Sequence, residues 1–244
     1  MLDIFLSNYN NTKLNKDIYR DFNLVQFLSK ERSIMLNWEN EIKISNMSTE
    51  EFINRFTLYA GHIIDEIVEA EEENTLSGEK TDDFCREVSD IAMYIASAAS
   101  LFNIKYICLF KYNLDSILEF KKNEEININK INNLFIKDSY NDLNINGRNY
   151  NFLVLNNFIT NGISEIRNLY PQRKWHKVHS DFSKEEYRDI LKKSYLICCN
   201  MIYAVFTYLS IYFSYSKINE IINEKQDKII KQSKITGNHN KETN

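Results

Sequence analysis

Apolar residues recur every three to four positions in two consecutive stretches of the chain, which is the spacing of one face of an α-helix. Between the stretches, Ser77-Gly78 is a helix-breaking pair, and Thr81 followed by two aspartates suits the start of a new helix. The pattern therefore predicts two antiparallel helices joined by a short turn. The apolar positions are Phe52, Phe56, Tyr59, Ile63, Ile67 and Ala70 on the first helix, and Phe84, Val88, Ile91, Ile95, Ala98 and Phe102 on the second.

Each of these predicted helices carries two carboxylates three residues apart, at the border of its apolar stripe. They are Glu66 and Glu69 on the first helix, and Glu87 and Asp90 on the second. Residues three apart share one face of a helix, with about 5–6 Å between their Cβ atoms. The hairpin would bring all four acids together, where they repel unless a hard cation, usually Mg²⁺, lies among them. The alternative is that they are solvated acids on two ordinary helices, since ExxE and ExxD are common patterns.

The rest of the first half is also predicted to be helical. Residues 17–45 are expected to form a first helix. Ser48 and Glu51 have the spacing of a capping box and would open the first acidic helix. The second acidic helix is expected to continue to about Phe102, and residues 103–118 to form a further short helix that packs back.

The second half begins with another helical pattern, which Pro171 would end. Ser183 and Glu186 again have capping-box spacing and would open a long helix to about Tyr215. The residues beyond are polar and are expected to fray, apart from 218–230, which can extend the last helix.

Composition agrees with an all-α fold, because the chain of 244 residues has only five glycines and one proline. We expect a bundle of long antiparallel helices. The predicted organisation is a first helical unit over residues 1–118, an Asn/Ile/Lys-rich linker or insertion over 119–148, a second helical unit over 149–232 and a polar tail over 233–244.

The second half resembles a faded repeat of the acidic pattern of the first half at one constant offset, with asparagine at one of the four positions. This similarity indicates either a degenerate tandem duplication of the helical hairpin or a chance recurrence of a short pattern. The matching pairs are Glu165 with Glu66, Asn168 with Glu69, Glu186 with Glu87 and Asp189 with Asp90.

Charge and cysteine content narrow the function classes. A net charge of −4 argues against a generic nucleic-acid binder. The four cysteines, two of them adjacent, have neither disulfide-framework nor zinc-site spacing, which favours a reduced, cytoplasmic setting. The N-terminal residues lack the pattern of a signal peptide.

One uncharged segment, Ser194–Ser216, is long enough to cross a bilayer. Its tyrosines are spread throughout instead of lying at its two ends, and it contains Asn200. We favour a buried bundle helix over a membrane span, because fully buried helices are apolar on all sides.

The order of the two acidic motifs resembles the signature of the all-α nucleoside triphosphate pyrophosphohydrolases. This superfamily comprises the MazG-like enzymes and the dimeric, all-α dUTPases. The phrases IIDEIVEA and REVSDIAMYI resemble the family wording around ExxE and ExxD, and the resemblance covers about residues 48–103.

The resemblance implies hydrolysis of a (deoxy)nucleoside triphosphate to the monophosphate and pyrophosphate. The metal ligands would be Glu66, Glu69, Glu87 and Asp90, holding Mg²⁺, for which Mn²⁺ could substitute. The attacking water would be activated by the metal, and either Glu66 or Glu69 would be the general base. The family also implies a homodimer or higher homo-oligomer.

Substrate contacts are expected in two further places. By the resemblance, Asn37 and Trp38 would line the base pocket, although Trp38 is equally suited to the core. A short basic stretch can bind a triphosphate, with Trp175 stacking on a base, or it can be a solvated basic turn. Its residues are Arg167, Arg173, Lys174, Trp175 and Lys177.

The base preference is open. In the dUTPase branch a Trp-Lys pair follows ExxE, whereas this chain has EEENTLSGEK, and the late phrase of that branch has only a weak echo from Lys217 to Gln226. A broader MazG-like activity is therefore favoured. The alternatives are a non-catalytic helical interaction or regulatory protein and a membrane-attached helical protein.

Overall fold

The structure is a computed structural model, and it describes residues 23–38, 41–78, 80–120, 131, 133–135, 144–145, 148–170, 172–173, 177–178 and 182–239. The described part is an all-α helical bundle with two very short antiparallel strand pairs, β1–β2 and β3–β4. The elements are α1 (Leu24–Trp38), α2 (Glu41–Asn46), α3 (Thr49–Ser77), α4 (Asp82–Phe110), α5 (Asp115–Phe120), β1 (Asn144–Ile145), β2 (Arg148–Asn149), α6 (Tyr150–Asn168), β3 (Gln172–Arg173), β4 (Lys177–Val178), α7 (Lys184–Tyr212) and α8 (Tyr215–His239).

The predicted acidic hairpin is formed by α3 and α4, and local hydrogen bonds explain where each helix begins and ends. At the start of α3, the Ser48 amide donates to the Glu51 carboxylate at 2.7 Å, and the Glu51 amide donates to Ser48 Oγ at 3.2 Å. α3 stops at Gly78, whose φ of 85° is easy only for glycine. Thr81 then caps α4 by accepting the Phe84 amide at 3.2 Å.

Both predicted apolar stripes form the core. Every stripe residue is buried except Tyr59, which is half-buried. The Phe102 ring lies 5.6 Å from the Phe52 ring and 5.4 Å from the Phe56 ring, so the two helices interlock through aromatic side chains. α4 is the central helix, because it packs against α1, α2, α3, α7 and α8.

The second half packs onto the same core as the first. α7 makes its main contact with α4 and also packs against α6, and buried apolar residues of both halves form one cluster. α6 and α7 approach closely at Gly162, where an added Cβ would lie 2.5 Å from the Met201 sulfur. The predicted capping box at Ser183 and Glu186 is present at the start of α7.

Two helix boundaries in the first half differ from the predictions. The predicted helix over 17–45 is divided into α1 and α2, and its first residues lie outside the described ranges. The end predicted near Phe102 was wrong, because α4 continues to Phe110 and stops where Lys111 adopts a left-handed conformation with φ 59°. Asn103 lies buried within α4, and its side chain accepts the Leu114 amide at 3.0 Å, which fixes the chain just before α5.

The uncharged segment Ser194–Ser216 does not form one continuous helix. α7 ends at Tyr212, earlier than predicted, because Phe213 is extended, and Ser214 Oγ accepts the Lys217 amide at 3.3 Å as α8 begins. The helix predicted over 218–230 is present within α8, and the fraying predicted beyond it was wrong as far as His239; residues 240–244 lie outside the described ranges.

Two described helices, α4 and α7, are long and apolar enough to cross a membrane by length and composition alone. In the structure, 67 % and 72 % of their most apolar windows lie buried inside the bundle. Core helices pass the same test, so this feature is only weak evidence for a membrane.

Most of the predicted linker over 119–148 lies outside the described residues. Of the residues that are described, Ile131 and Phe135 are buried, and the Phe135 ring lies 5.8 Å from the Tyr208 ring of α7. This part of the segment therefore contributes to the core.

Candidate metal centre

Three of the four predicted acids converge between α3 and α4. Glu66, Glu69 and Glu87 each place a carboxylate oxygen within 4.8 Å of the other two. Two oxygen ligands of one Mg²⁺ lie roughly 3–4 Å apart, because Mg–O distances are about 2.0–2.1 Å. Small rotations of these side chains would therefore bring all three oxygens onto one ion.

Burial and the charges of neighbouring acids act on Glu66 and Glu87, which are half-buried, whereas Glu69 is exposed. Glu66 is half-buried, and burial, followed by the charges of Asp90, Glu69 and Glu87, raises its pKa to about 7. Burial also raises the pKa of Glu87, although the nearby Lys225 ammonium opposes the shift. Within the described ranges, no protein cation forms a hydrogen bond or ion pair with any of the three carboxylates. A divalent cation would remove the repulsion that raises the pKa of Glu66.

The fourth predicted ligand, Asp90, has a different partner. Its carboxylate forms an ion pair with the Lys225 ammonium of α8, which also donates to the Arg86 carbonyl oxygen at 2.8 Å. Burial raises the pKa of Asp90, while Lys225 opposes the shift. Asp90 is close enough to raise the pKa of Glu66, but it lies outside the converging group, and its role as a ligand stays a prediction.

α8 is absent from the predicted centre, yet the structure places it beside the acids. Its contacts with the start of α4 include ion pairs between Lys217 and Asp82, at 2.7 Å, and between Glu224 and Arg86, at 3.5 Å. The signal in the sequence was the weak dUTPase-like echo that ends in Lys225-Gln226. Three charged residues of that echo, Lys217, Glu224 and Lys225, form ion pairs with α4.

Tyr94 and His62 form an edge of the centre that the acidic motifs did not reveal. Their rings stack with centroids 5.1 Å apart and planes 20° from parallel. Tyr94 lies one helical turn after Asp90, and burial raises its pKa, as do the charges of Glu66 and Asp90. His62 is exposed and lies one turn before Glu66, and the charges that act on Tyr94 show that its ring lies near the acids.

The predicted substrate contacts are only partly described. Asn37 and Trp38 end α1, but their side chains lie outside the described part, as do Lys174 and Trp175 completely. Arg173 and Lys177 pair through their backbones in the β3–β4 ladder, and β4 packs against α3. Arg167 is half-buried in the last turn of α6. Their roles in binding a nucleotide stay predictions.

The matching positions of the second half do not form a second acidic group among the described residues. All four are exposed: Glu165, Asn168, Glu186 and Asp189. Glu186 has a local role, since its carboxylate accepts the Ser183 amide at 2.8 Å in the capping box. A tandem duplication therefore stays a prediction.

Taken together, the centre offers three carboxylate oxygens to one hard cation and a fourth acid held by a protein ammonium. Oxygen donors of this kind suit Mg²⁺ and Mn²⁺ better than softer metals, which prefer sulfur and imidazole ligands.

Comparison of the chain with protein-family models, with curated proteins and with solved structures gives no match.

Proposed function

We propose that this protein is a Mg²⁺-dependent nucleoside triphosphate pyrophosphohydrolase, MazG-like or dUTPase-like, which releases a monophosphate and pyrophosphate. The observation that supports the proposal most is the convergence of Glu66, Glu69 and Glu87 at the hairpin. In the family that the two acidic motifs resemble, these positions hold the metal.

The residues present fit a divalent cation by their chemistry. All three are carboxylates, and the pKa of Glu66 is raised by the very neighbours that a cation would neutralise. When bound, Mg²⁺ neutralises phosphate charge and lowers the pKa of a bound water. The side chains on α3 and α4 would hold the ion, while Glu66 or Glu69 would accept a proton from the attacking water.

The hairpin gives these acids a fixed geometry. α3 and α4 interlock through Phe52, Phe56 and Phe102, and their connection is set by Gly78 and Thr81. Because the acids lie on two packed helices instead of on a loop, their separation is constrained before any ligand binds.

The nucleotide would extend from this centre towards the predicted phosphate and base contacts, of which Arg167 alone has a described side chain. We propose that Arg167, Arg173, Lys174 and Lys177 contact the phosphates and that Trp38 or Trp175 contacts the base. The same proposal includes a cytoplasmic location and a homo-oligomeric state. Sedimentation analysis would test the oligomeric state.

Pyrophosphate release from a panel of natural and modified nucleoside triphosphates tests the reaction. We expect Mg²⁺-dependent release by the natural sequence and at least about a hundredfold loss in Glu69→Gln and Glu87→Gln. Glu72→Gln is the matched control, because Glu72 is exposed on the same helix and lies outside the converging group.

Circular dichroism should show the same helix content in all of these variants. Undiminished release by both Glu69→Gln and Glu87→Gln would remove the acids from the reaction. Equal loss of activity in Glu72→Gln would mean that the activity depends on the overall negative charge of this helix and not on the three converging acids.

A further inference from the structure

We infer, on the basis of the proposed metal centre, that it takes one divalent cation per chain and that the Lys225 ammonium serves Asp90 in place of a second. The centre would then combine a three-carboxylate ion site with an internal, permanently attached cation.

The first observation is that the Lys225 side chain is largely buried and that its ammonium has two bonded partners. Its ammonium binds the Asp90 carboxylate and donates to the Arg86 carbonyl oxygen at 2.8 Å. The Lys225 and Asp90 side chains are 17 % and 26 % exposed. The ion pair of Lys217 with Asp82, between the same two helices, is more exposed, at 33 % and 53 %. Lys225 is thus more deeply buried than Lys217.

The second observation is that α8 is anchored at the residue next to Lys225. The Gln226 amide donates to the carboxylate of Glu31, and these two side chains are 1 % and 2 % exposed. Lys30 adds contacts to Asn223 at 3.3 Å and to Asp227 at 3.0 Å. With α8 attached to α1 on one side and to α4 on the other, the Lys225 side chain is directed at Asp90.

The third observation is the charge balance. Each of the four acids can carry one negative charge, and Lys225 neutralises one of the four. A single divalent ion among Glu66, Glu69 and Glu87 then leaves an excess of one negative charge. A second divalent ion would make the centre positive and would have to take Asp90 from an ammonium already bound to it, against the repulsion of that ammonium.

Counting bound Mn²⁺ by electron paramagnetic resonance and titration calorimetry tests this inference without a substrate. We expect one ion per chain in the natural sequence. Lys225→Met frees Asp90, so a second ion should bind. Lys217→Met is the matched control on the same face of α8 and should still bind one.

Two further variants keep the test decisive if Lys225→Met does not fold. Asp90→Asn should keep one ion with an affinity within about threefold of the natural sequence, whereas Glu87→Gln should lose at least about tenfold. Two ions in the natural sequence, one ion in a folded Lys225→Met, or a tenfold loss in Asp90→Asn would each overturn the inference.

The outcome is separable from that of the proposed function. One bound ion without pyrophosphate release from any nucleotide would end the proposed reaction and leave the role of Lys225 intact. Two bound ions with normal release would do the reverse.

Discussion

Two groups of acids in this bundle differ in what surrounds them. Asp115 is 4 % exposed, and its carboxylate is bound by Arg32, Asn103 and Tyr195, which come from α1, α4 and α7. Glu66, Glu69 and Glu87 instead face one another, and within the described part of the chain no protein cation is bonded to them. The first group is electrostatically complete.

The difference separates a structural acid from one that is suited to a ligand. A buried carboxylate whose hydrogen-bonding capacity is filled by the protein fixes helices in place and has nothing further to bind. The charges of Asp90, Glu69 and Glu87 raise the free energy of the ionised, half-buried Glu66 in the folded state unless a cation arrives. Glu31 is an intermediate case, since it is buried and its bonded partner is the neutral Gln226 amide.

The largest expected effect is on Asp115, the acid whose hydrogen-bonding partners are all supplied by the protein. Asp115→Asn should lower the free energy of unfolding by about 3–5 kcal/mol, because it leaves Arg32 without its carboxylate partner. Urea denaturation followed by circular dichroism measures this change. Glu87→Gln, measured in EDTA, is the comparison variant and should show no such loss. Equal destabilisation of the two variants would remove the distinction.

The contribution of Glu31 to the free energy of unfolding should depend on pH. Burial raises the pKa of Glu31 to about 7, so the folded protein holds a proton that the unfolded chain has already released. Stability attributable to this group is therefore highest below about pH 4.5 and falls as the pH rises to about 7.

Glu31→Gln keeps a hydrogen bond to Gln226 but cannot ionise. We expect it to be more stable than the natural sequence by about 2 kcal/mol at pH 8 and nearly equal to it at pH 5. Urea denaturation at the two pH values, in EDTA, measures the difference. A Glu31→Gln protein that is less stable at pH 8 would show that the ionised carboxylate is favourable in the fold.

Because Glu66, Glu69 and Glu87 are not bonded to a protein cation within the described part of the chain, Mg²⁺ should stabilise the fold. At a free concentration ten times the dissociation constant, binding to the folded state alone adds about 1.4 kcal/mol to the free energy of unfolding. Thermal denaturation should therefore shift upwards with MgCl₂ but not with NaCl at matched ionic strength. Glu87→Gln should lose most of this shift, and an identical shift in that variant would place the ion elsewhere.

The smallest expected effect is at the bundle surface. Asp227, whose side chain is 59 % exposed, pairs with Lys30, and Asp227→Asn should change the free energy of unfolding by no more than about 0.5 kcal/mol. Urea denaturation measures it beside Asp115→Asn. A decrease in the free energy of unfolding comparable to that of Asp115→Asn would mean that burial does not determine how much an ion pair stabilises this fold.

The local patterns of the sequence were sufficient to predict α3, α4 and both capping boxes. Apolar spacing determines which face of a helix is buried, and the Ser48 and Ser183 boxes need only residues three apart. Helix ends were harder. The end of α4 depends on the left-handed Lys111, and no glycine or proline marks that position.

The composition of the centre was harder still, because it depends on contacts between distant parts of the chain. Convergence of Glu66, Glu69 and Glu87 follows from one hairpin. The partner of Asp90 comes from α8, 135 residues later, and Glu31 joins Gln226 across 195 residues. Helical periodicity carries no information about such pairings, so a fourth converging acid was expected where the fold supplies a lysine.

Anomalous diffraction from crystals grown with MnCl₂ tests the convergence of the acids on one ion most directly. The predicted result is a single strong peak per chain within about 2.0–2.4 Å of carboxylate oxygens from Glu66, Glu69 and Glu87. No peak at the hairpin, or side chains of these residues that diverge into solvent, would contradict the existence of the centre.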